Sequence, residues 1–240
     1  MRPHGPHFLL PAGSLDEGEA LLEGDDAHHL GRALRAMPGD PVSLADGAGT
    51  MGQGRVATVD TAITLEIEAR WEVPPATPAL RVVHALPKGR KLDGVVRALT
   101  EVGVERIDPV TTARTETAPK GAGARRAVQR WRSVAHAAAK QSRRAWLPRI
   151  SEIAPYPRAF DPGDTGAVLW EEGTAPLSAV LGRISAPGEC LLVVGPEGGL
   201  SADEVELAGL PAATLGPTVL RTETAAVVGA AAVLALSGRA

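Results

Sequence analysis

Residues 190–204 read Cys-Leu-Leu-Val-Val-Gly-Pro-Glu-Gly-Gly-Leu-Ser-Ala-Asp-Glu, the pattern of a strand, a turn and the start of a helix. The apolar run Leu191–Val194 includes β-branched residues and stops at a Gly-Pro pair, as expected of a buried strand. Gly198 and Gly199 can adopt positive φ and allow a ligand to approach the backbone closely. Ser201 is followed three residues later by a glutamate, so a helix is predicted to begin there.

A second stretch, residues 213–236, has the same order of elements. A short strand-like piece, Ala213–Leu215, ends at another Gly-Pro pair. After a polar turn, the apolar run Ala225–Leu236 predicts a buried helix with Thr222 or Thr224 near its N-cap. Small ligands bind at the loops that follow the carboxyl ends of strands in an open α/β sheet. One such loop would be an ordinary turn, whereas the two together predict a ligand site.

The pattern of apolar residues in the rest of the chain predicts two domains. Residues 1–72 contain four short alternating or β-branched segments separated by Gly, Asp and Pro turns, which favours a small β-barrel. Residues 73–79 include three prolines and are predicted to form a linker. From there on, an apolar strand, an amphipathic helix and another strand alternate. Residues 80–240 are therefore predicted to form an α/β domain with a parallel sheet and right-handed crossovers.

The charge distribution indicates a polyanionic partner. The 240-residue chain has a formal net charge of -3, but residues 81–149 contain sixteen lysines and arginines against five acidic residues. Such an asymmetry is typical of a nucleic-acid-binding surface. Much of this charge lies in Ala124–Trp146, which is predicted to be one long helix with Trp131 on its apolar face. Because the basic residues recur across several elements, they favour phosphate contacts over solvated helix faces.

Composition restricts the compartment and the cofactors. Cys190 is the single cysteine, so no disulfide can form within the chain, which fits a reducing cytosol. The N-terminus lacks the apolar core of a secretory signal, and the longest apolar run is too short to span a bilayer. We therefore expect a cytoplasmic protein with no membrane partner. His28 and His29 have no third ligand at a suitable spacing, so no metal is expected.

The two loops also resemble those of a known family. Residues 195–204 and 215–225 are similar to the signature loops of the ribosomal RNA small subunit methyltransferase E family, and the resemblance extends over nearly the whole chain. These are SPOUT-class enzymes. The resemblance implies an α/β protein whose C-terminal SPOUT-type parallel sheet carries a deep trefoil knot, preceded by a PUA-like β-barrel that touches RNA. It also implies a homodimer that uses S-adenosyl-L-methionine to make N3-methyluridine in 16S rRNA of the small ribosomal subunit.

The resemblance and the loop pattern together give roles to three groups of residues. Arg221 and Glu223 are the catalytic candidates, since an arginine can stabilise the uridine anion and a carboxylate can accept its N3 proton. The alternative is a structural ion pair or cap at a helix terminus. The predicted cofactor-binding residues are Leu169, Gly195, Pro196, Glu197, Gly198, Gly199, Leu215, Gly216, Leu220, Thr222 and Ala225. The predicted RNA-binding residues are His29, Arg32, Arg35, Lys88, Arg90, Lys91, Arg114 and Arg143.

Two positions depart from the family pattern, and two other functions stay open. Thr218 stands where the family often has arginine, and Arg143 stands where it usually has glycine. The open alternatives are a non-catalytic RNA-binding protein on the same scaffold and a SPOUT methyltransferase that acts on another RNA. A nucleotide hydrolase is disfavoured, because no Gly-Lys-Ser/Thr follows the first glycine loop.

Overall fold

The computed structural model describes residues 4–182 and 188–238, which form two compact units. Residues 1–75 and 139–147 belong to the first unit, and residues 76–138 and 148–240 belong to the second. Residues 1–3, which contributed to the expectation of no secretory signal, lie outside the described part. Within the described part, no helix is long and apolar enough to cross a membrane.

The first unit is a five-stranded sheet with its own apolar core. Its strands are β1 (His7–Leu9), β2 (Glu19–Leu22), β3 (Pro41–Ala45), β4 (Thr50–Val59) and β5 (Ile63–Glu72), in the order β1-β3-β4-β5-β2. Strands β1 and β3 pair in parallel and the other pairs are antiparallel. Inward-facing side chains such as Phe8, Leu44 and Leu65 fill the core. Helix α1 (Gly24–His28) continues into a π-helical turn, His29–Ala33.

The second unit is built on a seven-stranded parallel sheet, which confirms the predicted α/β class. In its centre, Val82 pairs with Leu192 on one side and with Ile107 on the other. The strands are β6 (Ala79–Ala85), β7 (Arg106–Thr111), β8 (Arg149–Ile150), β9 (Ala154–Pro155), β10 (Gly166–Leu169), β11 (Glu189–Val194) and β12 (Ala212–Ala213). Their order in the sheet is β12-β10-β11-β6-β7-β8, and β9 also pairs with β7.

Side chains alternate along these strands, so the sheet has an apolar core on each face. Val82 and Leu192 belong to the core that helices α2 and α6 cover. Their neighbours Val83 and Val193 belong to a second core, which includes Ala208 of α5. The helices are α2 (Lys91–Val102), α3 (Ala122–Ser142), α4 (Leu177–Leu181), α5 (Ala202–Ala208) and α6 (Thr222–Leu236).

Local sequence signals set several element boundaries, and the predicted start of a helix at Ser201 is confirmed. Helix α2 ends at Gly103, which has φ of 112°, as suits a glycine after the last turn. Helix α5 begins with a complete capping box between Ser201 and Glu204. Trp131 is 3% exposed, and its indole nitrogen donates to Asp93 at 3.0 Å, so it is a core residue rather than a surface for base stacking.

Other boundaries were predicted wrongly. Strand β2 was missed, because its Glu-Ala-Leu-Leu sequence is short and has no β-branched residue. Helix α3 ends at Ser142 instead of Trp146, because Arg143 has φ of 56° and cannot continue a right-handed helix. Strand β12 stops at Ala213, where the Thr214 side chain bonds to both main-chain groups of Gly216 and starts a turn. Neither candidate threonine caps α6, since Arg221 occupies the N-cap position.

Candidate active site

A cleft of ≈430 Å³ lies at the carboxyl ends of three neighbouring strands of the second unit. The cleft is lined by residues 169–171 at and after the end of β10, by residues 194–200 except Gly198 at and after the end of β11, and by residues 213–222 from the end of β12 to the start of α6. Lys91 and Ala225 complete the lining. Because β10 lies between β12 and β11 in the sheet, the loops after all three strands meet at one edge. This is the edge at which open parallel sheets bind small ligands.

The first glycine loop is closely packed around two of its glycines. Gly199 has φ of 72°, and a Cβ atom there would lie 2.3 Å from Oε1 of Glu171. A Cβ atom at Gly195 would lie 3.0 Å from Cγ of Leu200. With no side chains at these positions, the backbone itself forms this wall of the cleft, and a ligand can contact its main-chain groups directly.

Thr222 joins the second loop to the first. It is the first residue of α6 and is 7% exposed, and its hydroxyl donates a hydrogen bond to the carbonyl oxygen of Gly195. This bond explains why the side chain does not cap its own helix. The first turn of α6 is thereby held against the glycine loop, so the two walls of the cleft are connected directly.

Three charged side chains are grouped at the rim of the cleft. Nζ of Lys91 lies 2.8 Å from Oε1 of Glu197 and 3.7 Å from Oε1 of Glu223. The hydrogen bond to Glu197 raises the pKa of Lys91. Burial raises the pKa of Glu197, but the bonds donated by Lys91 and by backbone amides outweigh that effect, so the net pKa is below the usual value. At neutral pH the ammonium and the Glu197 carboxylate are both charged.

His84 lies buried at the end of β6 and was not predicted as part of the site. It is 0% exposed, and burial lowers its pKa, so the imidazole is neutral at neutral pH. Nδ1 lies 2.6 Å from the carbonyl oxygen of Ala85, and because a carbonyl can only accept, Nδ1 carries the proton. Nε2 of His84 and Oε2 of Glu223 have no hydrogen-bond partner among the described residues. A single histidine in an apolar strand gave no signal in the sequence.

The structure brings most of the predicted cofactor-binding residues into this cleft. Gly198 is the exception, since it lines a smaller pocket on the other side of the first glycine loop. Thr218, which departs from the family pattern, lines the cleft. Sequence reasoning missed Trp170 and Glu171, which lie in the loop after β10. The predicted residues on the cleft are Leu169, Gly195, Pro196, Glu197, Gly199, Leu215, Gly216, Leu220, Thr222 and Ala225.

The two catalytic candidates are placed differently. Arg221 is exposed and lines the cleft. Glu223 does not line it and instead lies next to Lys91, with 29% of its side chain exposed.

The predicted RNA-binding residues fall into one group in each unit. His29, Arg32, Arg35 and Arg143 are exposed in the first unit, and Lys88, Arg90, Lys91 and Arg114 are exposed in the second. Several of these side chains contact other residues of the chain. Lys88 forms an ion pair with Glu116, Arg90 forms one with Asp93, and Arg143 donates a hydrogen bond to the carbonyl oxygen of Gly5. Their contact with RNA stays a prediction.

A parallel sheet with a ligand cleft at its carboxyl edge is consistent with a nucleotide-dependent enzyme, and comparison with known proteins defines the class. Residues 75–234 match the profile of the RNA methyltransferase domain. The ribosomal RNA small subunit methyltransferase E of Mycobacterium bovis is 36% identical over 231 residues, 92% of this chain and 87% of that protein. The chain belongs to the ribosomal RNA small subunit methyltransferase E family.

Two further comparisons agree with this assignment. The Bacillus subtilis protein of that name is 30% identical over 217 residues, which cover 85% of this chain and 85% of that protein. The crystal structure of a ribosomal RNA small subunit methyltransferase E from Neisseria gonorrhoeae, bound to S-adenosyl methionine, matches with a TM-score of 0.83. The two chains are 27% identical in sequence, and the match covers 97% of this chain and 98% of that one.

Proposed function

We propose that this protein methylates N3 of a specific uridine in 16S rRNA of the small ribosomal subunit, with S-adenosyl-L-methionine as the donor. The observation that carries the proposal is the convergence of three loops, two of them the signature loops, on one cleft at the carboxyl edge of the sheet. The family relationship supports the reaction class. The cleft volume of ≈430 Å³ is in the usual range for cofactor sites, about 300–1,000 Å³.

The residues of the cleft fit the proposed donor. Leu169, Leu215 and Leu220 supply apolar surface, while the side-chain-free backbone at Gly195 and Gly199 offers main-chain hydrogen-bonding groups. Most small-molecule sites combine apolar walls with a few polar groups in this way. The related protein from Neisseria gonorrhoeae binds S-adenosyl methionine. When bound, this donor supplies an electrophilic methyl group on a sulfonium sulfur.

The protein has to position the acceptor and remove its proton. Uridine N3 becomes nucleophilic when its proton leaves, and we assign the acceptance of that proton to the Glu223 carboxylate. Arg221, on the cleft, stabilises the negative charge that develops on the base. Lys91 lies between Glu197 and Glu223, so it holds both carboxylates at the rim.

We also propose that the second unit carries a trefoil knot, that the first unit is a PUA-like barrel and that the protein is a homodimer. In the second unit, β11 lies between β10 and β6 in the sheet. This strand order is consistent with a SPOUT-type trefoil knot. The five-stranded sheet of the first unit is consistent with a PUA-like barrel. Val228 and Leu236 of α6 are 43% and 56% exposed, and we propose that a second copy of the chain covers them in a homodimer. Ribosomal RNA as substrate places the activity in the cytoplasm.

Calorimetric titration with S-adenosylhomocysteine, the product of donor demethylation, tests the cleft. We expect saturable binding by the wild type and none by Gly195→Val, because the added side chain would overlap Leu200 and displace the glycine loop that lines the cleft. The control Gly94→Ala places a methyl group in open space on α2 and should bind normally. If the wild type binds no product, the non-catalytic RNA-binding alternative is favoured.

Methyl transfer tests the substrate and the catalytic assignments. Small-subunit rRNA that lacks the modification is incubated with protein and donor, and N3-methyluridine is mapped by mass spectrometry. Arg221→Ala and Glu223→Gln should each lower kcat by about a hundredfold or more, in the usual range for groups of this kind. Unchanged turnover would remove that residue from the mechanism. Product binding without transfer to this rRNA would favour another RNA as substrate.

A further inference from the structure

The turn after β10 is hydrogen-bonded to the segments that follow both neighbouring strands. The Trp170 backbone amide donates to the carbonyl oxygen of Ala213 at 3.0 Å, and the indole nitrogen of Trp170 donates to the carbonyl oxygen of Leu200 at 3.3 Å. Within the turn, the Gly173 amide donates to the carbonyl oxygen of Trp170 at 3.1 Å. Glu171, the second residue of this turn, is therefore carried by a backbone that is anchored on both sides.

The Glu171 carboxylate lies on the wall of the cleft. Glu171 belongs to the lining, and its Oε1 lies against Gly199, in the place that a Cβ atom of residue 199 would need. Because residue 199 is a glycine, the carboxylate can approach the backbone of the first glycine loop this closely. A larger residue at 199 would have to displace the carboxylate.

The charged residues of the cleft lining are Lys91, Glu171, Glu197 and Arg221. Lys91 and Glu197 form an ion pair with a separation of 2.8 Å, and the proposed mechanism assigns Arg221 to the base. Among the described residues, no group forms a hydrogen bond or an ion pair with the Glu171 carboxylate. An ionised carboxylate only accepts hydrogen bonds, so a ligand of Glu171 has to supply N–H or O–H groups.

We propose that Glu171 binds the methyl donor, and that its carboxylate accepts hydrogen bonds from N–H or O–H groups of S-adenosyl-L-methionine; this inference rests on the proposed function. The methionine end of the donor carries an ammonium group, and the adenosine end carries two ribose hydroxyls and an amine. Each of these groups can donate to a carboxylate. Hydrogen bonds to an ionised acceptor are roughly twice as strong as bonds between neutral groups.

The charge of Glu171 favours the donor over other ligands. An RNA backbone presents phosphates, which a carboxylate repels. S-adenosyl-L-methionine has two cationic groups, the ammonium and the sulfonium, against one carboxylate, so its net charge is positive and Glu171 attracts it. A metal ion would need further ligands, and the described part of the chain contains no group of three acidic, histidine or cysteine side chains that could hold one.

Calorimetric titration of the full chain with two ligands tests this role and locates the bond. S-adenosylhomocysteine contains both ends of the donor, whereas 5′-methylthioadenosine lacks the amino-acid group. Glu171→Ala should lower S-adenosylhomocysteine affinity about tenfold, the loss expected for one hydrogen bond to a charged group. An equal loss for the two ligands would place the bond at the adenosine end, and a loss for S-adenosylhomocysteine alone would place it at the methionine end. Wild-type affinity for both ligands would overturn the proposal.

Glu172→Ala is the matched control, because Glu172 is an exposed glutamate in the same turn that does not line the cleft. It should bind both ligands like the wild type, and an unchanged binding stoichiometry shows that each variant is folded. An equal loss of affinity in the two variants would contradict a specific role of Glu171. If Glu171→Ala binds normally while the wild type methylates rRNA, only the role of Glu171 fails. If Glu171→Ala alone binds weakly but the wild type transfers no methyl group to rRNA, the proposed function fails and the role of Glu171 stands.

Discussion

Arg143 is a residue in a backbone conformation that suits glycine. Its φ of 56° follows the last turn of α3, and a Cβ atom in the left-handed region costs about 1–2 kcal/mol. Glycine would adopt this φ without strain. The Arg143 guanidinium donates to the carbonyl oxygen of Gly5, which ties the turn to the chain before β1.

The cost of this conformation can be measured with two variants that both lose the guanidinium. Arg143→Gly removes the Cβ atom, whereas Arg143→Ala keeps it. We expect the glycine variant to be more stable than the alanine variant by about 1 kcal/mol, because glycine adopts positive φ without strain. Urea denaturation gives the two free energies of unfolding. Equal free energies of unfolding for the two variants would mean that residue 143 does not keep a positive φ in solution.

His7 makes the stability of the first unit depend on pH. Burial, together with the positive charges of Arg143 and Lys140, lowers the pKa of His7 from 6.5 to about 4. In the unfolded chain this histidine binds a proton below about pH 6.5, whereas the folded protein resists protonation until about pH 4. The contribution of neutral His7 to the free energy of unfolding is therefore complete above pH 6.5 and is lost as the pH falls towards 4.

As the pH falls from 8 to 5, His7 should lower the free energy of unfolding by about 2 kcal/mol. The free energy of unfolding of His7→Gln, measured in urea at both pH values, should fall by about 2 kcal/mol less than that of the wild type. The other histidines are common to both proteins, so they cancel in the comparison. Parallel pH profiles would show that His7 titrates normally in the folded protein.

Single residues also show where sequence reasoning succeeds at the site. The glycines at 195 and 199 could be predicted to line a cleft, because two glycine-broken loops each follow a strand and lead into a helix. The strand and loop at 168–173 were expected beside the two glycine loops, and Leu169 was assigned to the site, but Trp170 and Glu171 were not. The pairing of β10 with β11 and β12 brings them to the cleft. Gly198 and Glu223 lie off the cleft, although residues next to them in the chain line it.

At the scale of elements, the apolar sequence of helix α6 accounts for its presence, whereas a contact of its first turn sets where it begins. The sequence predicted a helix and placed a threonine at its N-cap. In the structure, Thr222 instead donates to the carbonyl oxygen of Gly195, about thirty residues away along the chain. Local propensity therefore gave the presence of the helix, whereas its starting residue depended on a tertiary hydrogen bond. The end of α3 at Ser142 was likewise set by one unfavourable backbone angle.

The bond from Thr222 should contribute to both stability and cofactor affinity. Thr222→Val keeps the shape of the side chain but leaves the Gly195 carbonyl without its donor. We expect a loss of about 1 kcal/mol in the free energy of unfolding. S-adenosylhomocysteine affinity should fall roughly fivefold, the equivalent of that energy, because the two walls of the cleft are no longer joined. Thr224→Val, at an exposed position in the same turn, should change neither quantity.

At the scale of the whole molecule, the exposed apolar residues of α6 bear on assembly. A helix that is apolar on all sides is normally covered on all sides, yet Val228 is 43% exposed. If a second copy covers this surface, Val228→Glu should halve the mass measured by light scattering from that of a dimer of the 24.8 kDa chain. Leu21→Glu, at a site 52% exposed in the first unit, should leave the mass unchanged. A monomeric wild type would contradict the proposed homodimer.

The pairing of β6 with β11 also affects how the nascent chain folds. Val82 pairs with Leu192, which is synthesised more than a hundred residues later. At about 5–20 residues per second, translation of that interval takes roughly 5–20 s. During this time β7 can pair with one edge of this apolar strand, but the other edge is still without β11. Unpaired strand edges of that kind promote aggregation. Yield in the cell should therefore depend on translation speed and chaperone supply as well as on the stability of the finished protein.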